Sequence, residues 1–256
     1  MPEAPATQTK RIEGGFDANL DFPFDDPKWA QFATATRCSV ASYMDLDVLT
    51  TALRQQLFDF SYLPSSNCFF LRDAPYCGIV SAMTPITKRA AQSSVFVVAK
   101  DNPAMSWHDL RGKRLGYINT YCTTSYFSPS VLIGREGFVL KDYFDAFPVA
   151  AWQGQIDAVL SSAIDATMVY EDVWLAQPSN ADRTKILARL DDLPTPPFIV
   201  HNGLDEAVVS ELKQTLLGLP AHGKDALYAG FAEFQDARLQ RWFADLAALP
   251  GLAHAA

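Results

Sequence analysis

The sequence predicts an α/β fold built on mainly parallel sheets, and three observations lead there. Segments with strand character and segments with helical periodicity alternate along most of the chain. Residues 94–99 form a continuous apolar run too short for a helix and suited to a strand covered on both faces. Clusters of Gly, Pro, Asn and Asp separate the segments. At 256 residues the chain accommodates one large domain or two smaller lobes, and 49% hydrophobic residues suffice for packed cores.

Residues 1–10 are polar and rich in Pro and Ala, and are expected to lie outside the packed structure. From Asp45 onward Leu46, Leu49, Leu53 and Leu57 recur at helical spacing, and residues 59–63 then read as a strand. After the 94–99 run, Lys100-Asp101-Asn102-Pro103 carries turn chemistry. Residues 114–118 read as a strand, followed by a polar loop and a helix through Val131, Leu132 and Ile133. A strand near Phe147 to Val149 precedes a helix whose face carries Ile156, Val159, Leu160 and Ala163, and residues 165–170 are again a strand. Pro194-Thr195-Pro196-Pro197 is a stiff break before the strand Phe198-Ile199-Val200. Two helices fill the rest, one with Val208, Leu212 and Leu216, the other with Trp242, Phe243 and Leu246.

A formal net charge of −8 offers no basic footprint for nucleic acid or anionic lipid. The apolar runs fall far short of the ~20 residues a bilayer requires, so no membrane insertion is expected. The amino terminus has neither a basic region nor an apolar core of signal-peptide type, which implies a cytoplasmic chain if Met1 is the true start, or a signal already removed. Cys38, Cys68, Cys77 and Cys122 contain no C-x-x-C pair and read as buried thiols, with a Cys68–Cys77 bridge as the alternative in an exported protein. His108, His201, His222 and His254 are scattered, and no metal, nucleophile-elbow or dinucleotide motif occurs. No catalytic residue, metal or cofactor is therefore expected. Cys122 as a nucleophile is the alternative, but no histidine is placed beside it.

The stretch that carries chemistry is Asn119-Thr120-Tyr121-Cys122-Thr123-Thr124-Ser125, a hydroxyl-rich loop between a strand and a helix. At the carboxyl end of a parallel strand, such a loop meets the unpaired N–H groups of the following helix and suits an oxyanion. Simple helix capping by Thr and Ser is the competing reading, and Ser128-Pro129 offers a second helix start one turn on. In the first half of the chain Tyr62, Ser65, Ser66 and Asn67 lie just past a strand end, with Ser93 and Ser94 near a crossing; both a ligand contact and a solvated turn fit these residues.

The order Phe58-Asp59-Phe60-Ser61-Tyr62-Leu63, Asp109-Leu110-Arg111-Gly112-Lys113-Arg114, the hydroxyl loop, the Gln153–Tyr170 segment and Leu193 to Ile199 resembles the phosphate/phosphonate-binding family of ABC-transporter solute-binding proteins. The resemblance runs over most of residues 20–220. It implies a two-lobed periplasmic-binding-protein fold of type II, with lobe I formed by residues 10–99 plus 198–256, lobe II by 100–197, and the ligand cleft between them. It also implies a monomer that needs no cofactor, binds a small anionic ligand, works with an ABC permease and resides in the periplasm. The family's Ser-Thr-Ser run falls on Cys122, Thr123 and Thr124, its histidine on Trp152, one amine-binding carboxylate on Asp172 beside Glu171, and a second on Pro196. A thiol is a weaker donor than a hydroxyl, so Ser125 or backbone N–H groups would compensate, and Trp152 would form an aromatic wall or belong to the core. The ligand-binding set is thus Thr123, Thr124, Ser125, Cys122, Trp152, Asp172 and Tyr62, trapping a phosphonate-like or other organic oxyanion. The alternatives are a cytoplasmic enzyme or a ligand sensor on the same fold.

Overall fold

Asp45 shows how the local sequence sets an element: its carboxylate accepts the N–H groups of Asp47 and Val48, and the helix it starts buries Leu46, Leu49 and Leu53. The computed structural model describes residues 11–220 and 227–252; the stretch 1–10, His222 and His254 lie outside the described residues. The first part of the chain runs β1 (Glu13–Asp17), α1 (Pro27–Ala35), β2 (Ser39–Tyr43), α2 (Leu46–Arg54), β3 (Phe60–Tyr62), α3 (Ser65–Phe69) and β4 (Tyr76–Ala82). The central part runs β5 (Gln92–Ala99), β6 (Arg114–Tyr117), α4 (Ser128–Gly134), α5 (Leu140–Tyr143), β7 (Asp145–Pro148), α6 (Gln153–Leu160), β8 (Ala166–Tyr170), α7 (Glu171–Ala176), α8 (Ser179–Arg183) and β9 (Thr184–Leu193). It ends with β10 (Pro197–His201), α9 (Glu206–Leu217), β11 (Phe231–Glu233) and α10 (Asp236–Ala247).

These strands form two sheets. The order is β11-β4-β10-β3-β1-β2 in the first and β7-β6-β8-β5-β9 in the second. Both are mixed, not mainly parallel. β1 pairs in parallel with β2 and β3, but β10 runs antiparallel to β3 and β4; β6 pairs in parallel with β7 and β8, but β5 runs antiparallel to β8 and β9. The cause is the path of the chain: β5 enters the second sheet and β9 leaves it as neighbours, so they run in opposite directions.

Two boundaries differ from the expectation. The sequence places residues 92–99 in lobe I, whereas β5 lies within the second sheet and feeds Phe96 and Val98 to one core cluster and Val95 and Val97 to another. The crossovers are accordingly residues 83–91 and 194–196. The sequence also returns residues 198–256 to lobe I, and β10 and β11 do join the first sheet. The last helix, α10, lies across both: Leu239 packs with Leu46, Leu53 and Ile199, whereas Trp242 and Leu246 pack with Phe96, Leu115 and Val131. Its Arg238 holds Asp192 Oδ1 at 2.7 Å and the carbonyl of Ala90 at 3.0 Å, gripping the approach to both crossovers. Leu57 is exposed because α2 ends at Arg54, one turn short of it. All four cysteines are free thiols; Cys68 is buried, its pKa pushed up to about 12 by burial, while Cys77 is exposed. No described helix is long and apolar enough to cross a membrane.

Candidate ligand-binding cleft

The hydroxyl loop follows β6 and ends in a π-helical turn, Thr123–Phe127, that runs directly into α4. Cys122 occupies its N-cap: the N–H groups of Tyr126 and Phe127 both reach the Cys122 carbonyl, and Cys122 Sγ accepts the N–H of Ser125 at 3.4 Å. Thr123 and Ser128 are therefore both helix starts, one of a π turn and one of an α-helix. This arrangement leaves the N–H groups of Thr123 and Thr124 without an acceptor among the described residues.

These N–H groups belong to residues lining a small chamber between the two sheets. From the second sheet's side Cys122, Thr123 and Thr124 line it; from the other side come Asp17, Asn19 and Tyr228. The chamber has a volume of about 40 Å³, against roughly 10–15 Å³ for one water on the same measure. It therefore suits a ligand of a few non-hydrogen atoms. Trp152 lines both this chamber and an outer vestibule of about 350 Å³ that also meets Asp21, Tyr170 and Asp172. Trp152, where the two spaces meet, has φ 54° and ψ −118°, a backbone conformation that disfavours a residue with a side chain.

Closure of the cleft is written in hydrogen bonds between the sheets. Ser66, at the start of α3, brings its N–H to 3.3 Å and its hydroxyl to 2.9 Å of Thr123 Oγ1, and Trp242 Nε1 donates to Ser66 Oγ at 3.2 Å. Tyr121 donates its hydroxyl proton to the Asp47 carboxylate of α2. Ser65 donates to the Pro194 carbonyl of the second crossover at 2.9 Å, while within the second sheet's side Ser94 donates to the Thr124 carbonyl, also at 2.9 Å. The solvated-turn reading of Ser65, Ser66, Asn67, Ser93 and Ser94 does not hold, since all are buried.

The expected ligand residues are only partly brought together. Cys122, Thr123, Thr124 and Trp152 share the chamber. Ser125 is fully buried, and its Oγ accepts the N–H of Ile118 at 3.0 Å. Asp172 reaches the vestibule wall, but its Oδ2 accepts Ile86 N–H at 2.6 Å and Thr87 N–H at 3.1 Å, and its Oδ1 accepts the Thr87 hydroxyl at 3.1 Å. Its lone pairs thus hold the first crossover. Tyr62 is fully buried among Phe16, Phe198 and Phe231 and lines neither space.

Asp17, Asn19, Gln92 and Tyr228 are chamber residues that the sequence pattern does not single out. Tyr228 donates to Gln92 Oε1 at 3.2 Å, and Gln92 donates in turn to the Pro194 carbonyl at 2.7 Å. Asp17 is 3% exposed and accepts Asn19 N–H and Nδ2–H, both at 2.9 Å, on one oxygen, Oδ1. Burial raises its pKa above the ordinary carboxylate value, with the Asn19 hydrogen bonds pulling the other way. Among the described residues no Lys, Arg or His lines either space, and no group of three His, Cys, Asp or Glu side chains converges as metal ligands do.

A protein family described as "ABC transporter, phosphonate, periplasmic substrate-binding protein" matches residues 32–242. Among solved structures, XAC2383 from Xanthomonas citri, determined with chloride and with ATP, superposes with a TM-score of 0.72 at 18% identity over 92% of this chain and 96% of its own. PhnD1 from Prochlorococcus marinus, in complex with methylphosphonate, superposes with a TM-score of 0.69 at 15% identity over 93% of this chain and 97% of its own. A binding-protein component of a phosphonate ABC transporter from Pseudomonas aeruginosa gives 0.67 at 15% identity, over 95% and 90% of the two chains. No curated protein matches.

Proposed function

The chain belongs to the phosphonate family of ABC-transporter periplasmic substrate-binding proteins, and we propose that it traps a small oxyanion-bearing ligand in the inner chamber and hands it to a permease. The observation that carries this reading is the pair of unused N–H groups at Thr123 and Thr124 on the chamber wall. Backbone N–H groups without a partner are costly when buried and well used when an anion accepts them. The hydroxyls complete the set. When Trp242 donates to Ser66 and Ser66 donates on to Thr123, the Thr123 proton is left for the chamber.

The residues support binding, not turnover. Cys122 Sγ is engaged by the Ser125 N–H and lies 3.4 Å from Thr124 Oγ1, and no described His, Lys or Arg lines the chamber to activate it. The family description supports a periplasmic location and work with a permease, and a monomeric binding unit belongs to the same proposal. Titration of the purified protein with methylphosphonate, phosphate, methanesulfonate and acetate tests it. At least one oxyanion raises the melting temperature in a concentration-dependent way and compacts the protein in solution scattering. A panel with no effect on either overturns the reading.

A further inference from the structure

We propose that two copies of this chain pair through the open edge of the first sheet, β2 of one copy lying antiparallel to β2 of the other about a two-fold axis at Ala41. The inference goes beyond ligand capture and does not rest on it, since each copy keeps a complete chamber of its own. Its basis is a contrast among the sheet edges. An unpaired edge is a template for another strand unless charge, proline, a bulge or short length blocks it. Of the strands at the edges, β9 carries Lys185, Arg189, Asp191 and Asp192, β7 carries Asp145 and Pro148, and β11 has three residues and ends in Glu233. By contrast β2, Ser39-Val40-Ala41-Ser42-Tyr43, has neither charge nor proline, and its register with β1 is unbroken. Ala41 and Ser42 are exposed, and just past the strand Met44 is 73% exposed and Val48 51%.

The backbone sets the register of the pair. Ser39 donates its N–H to the Ile12 carbonyl and the Tyr43 carbonyl accepts the N–H of Ala18, so the alternate residues Ser39, Ala41 and Tyr43 turn their groups toward β1. Val40 and Ser42 turn theirs outward. An antiparallel partner centred on Ala41, the middle residue of β2, puts Val40 opposite Ser42 of the second copy, where the two exchange both N–H···O bonds. The same register sets Arg37 opposite Asp45, because the two are equidistant from Ala41. Arg37 is exposed and has no ion-pair partner among the described residues. Asp45 accepts the N–H groups of Asp47 and Val48 on Oδ1 alone, which leaves Oδ2 for a guanidinium. Parallel pairing would instead set Arg37 beside Arg37 and Asp45 beside Asp45, which like charges disfavour. An uncharged strand of mostly small side chains with opposite charges at its two ends thus fits a second copy of itself.

Sedimentation equilibrium of the full chain over a range of concentrations tests the proposal. The mass moves from one chain toward two as concentration rises, and deuterium uptake at the Val40 and Ser42 amides slows in step. Ala41→Lys places two ammonium groups together on the axis and weakens association at least ~10-fold. Arg37→Glu weakens it roughly threefold or more, and salt weakens the wild-type pair. Both substitutions are at exposed positions outside the chamber, so affinity for methylphosphonate, where it binds, stays at the wild-type value. A single-chain mass at every concentration up to about 1 mM overturns the proposal, as does association indifferent to both variants. Protected Val40 and Ser42 amides in a protein that stays single would show another segment of the same chain on this edge, and overturn it too. None of these outcomes bears on the oxyanion reading, which the ligand titrations decide separately.

Discussion

The hydroxyl oxygens of Thr123 and Ser66 lie 2.9 Å apart across the space between the two sheets, so a residue of the anion loop is also a fastening point for the opposite lobe. Ser66→Ala leaves Trp242 Nε1 without its acceptor and Thr123 Oγ1 without the hydroxyl beside it, both in a buried setting. An unpaired buried polar group costs about 1–3 kcal/mol. The variant should lose stability on that scale in urea denaturation, and ligand affinity should fall because closed states lose a fastening.

Trp152 holds a positive φ and lines both chamber and vestibule. Trp152→Gly removes backbone strain worth on the order of 1 kcal/mol together with the wall. Stability should stay level or rise while ligand affinity drops by about tenfold or more. Titration calorimetry alongside thermal melting separates the two effects, and loss of both together would mark Trp152 as a core residue only.

Asp172 accepts three hydrogen bonds from Ile86 and Thr87, in the first crossover. Leaving buried hydrogen-bonding groups without their partner costs about 1–3 kcal/mol. Asp172→Ala should therefore destabilise the protein by about 2–3 kcal/mol and speed amide exchange at Ile86 and Thr87. Protection of those two amides unchanged from wild type would contradict the role of Asp172 in holding the first crossover.

Arg114 grips Asp165 through Nε at 3.1 Å and Nη2 at 3.0 Å, and this partner holds the Asp165 carboxyl below its usual pKa. The folded-state value is the lower one, so the stabilisation is complete above the unfolded-state pKa and is lost as pH falls through the folded-state pKa. Arg114 is 41% exposed, and solvent screening limits the contribution to about 1 kcal/mol or less. Asp165→Asn should lower the urea midpoint at neutral pH, with the difference from wild type vanishing on acidification below the carboxylate range.

Much of the second sheet was legible because its signals are local. The Leu46, Leu49 and Leu53 period found α2 as readily, and the hydroxyl run at Thr123 and Thr124 stands on the chamber wall. Strand β1 was not legible. Its Gly14-Gly15 pair suggests a turn, yet a Cβ at Gly14 would fall 2.2 Å from the Phe60 ring and one at Gly15 2.6 Å from Phe58, so these glycines serve close packing that no local pattern reveals. Asp17 was hidden with that strand. Tyr228 and Gln92 join the site through contacts over long sequence separations. Tyr62 reads as a cleft residue from its place after a strand, but an aromatic core claims it instead. The misplaced crossover has a related cause: an apolar run announces a buried strand without saying which sheet buries it.

The position of α10 across both sheets governs how the chain comes to be folded. During synthesis the first sheet must wait, because β10 and β11 emerge only after the whole second sheet has been made. The final helix then packs Leu239 on one core and Trp242 on the other. Neither half is finished until α10 has been made, so loss of that helix would leave two incomplete bodies with apolar surface exposed, not one intact lobe beside an unfolded one.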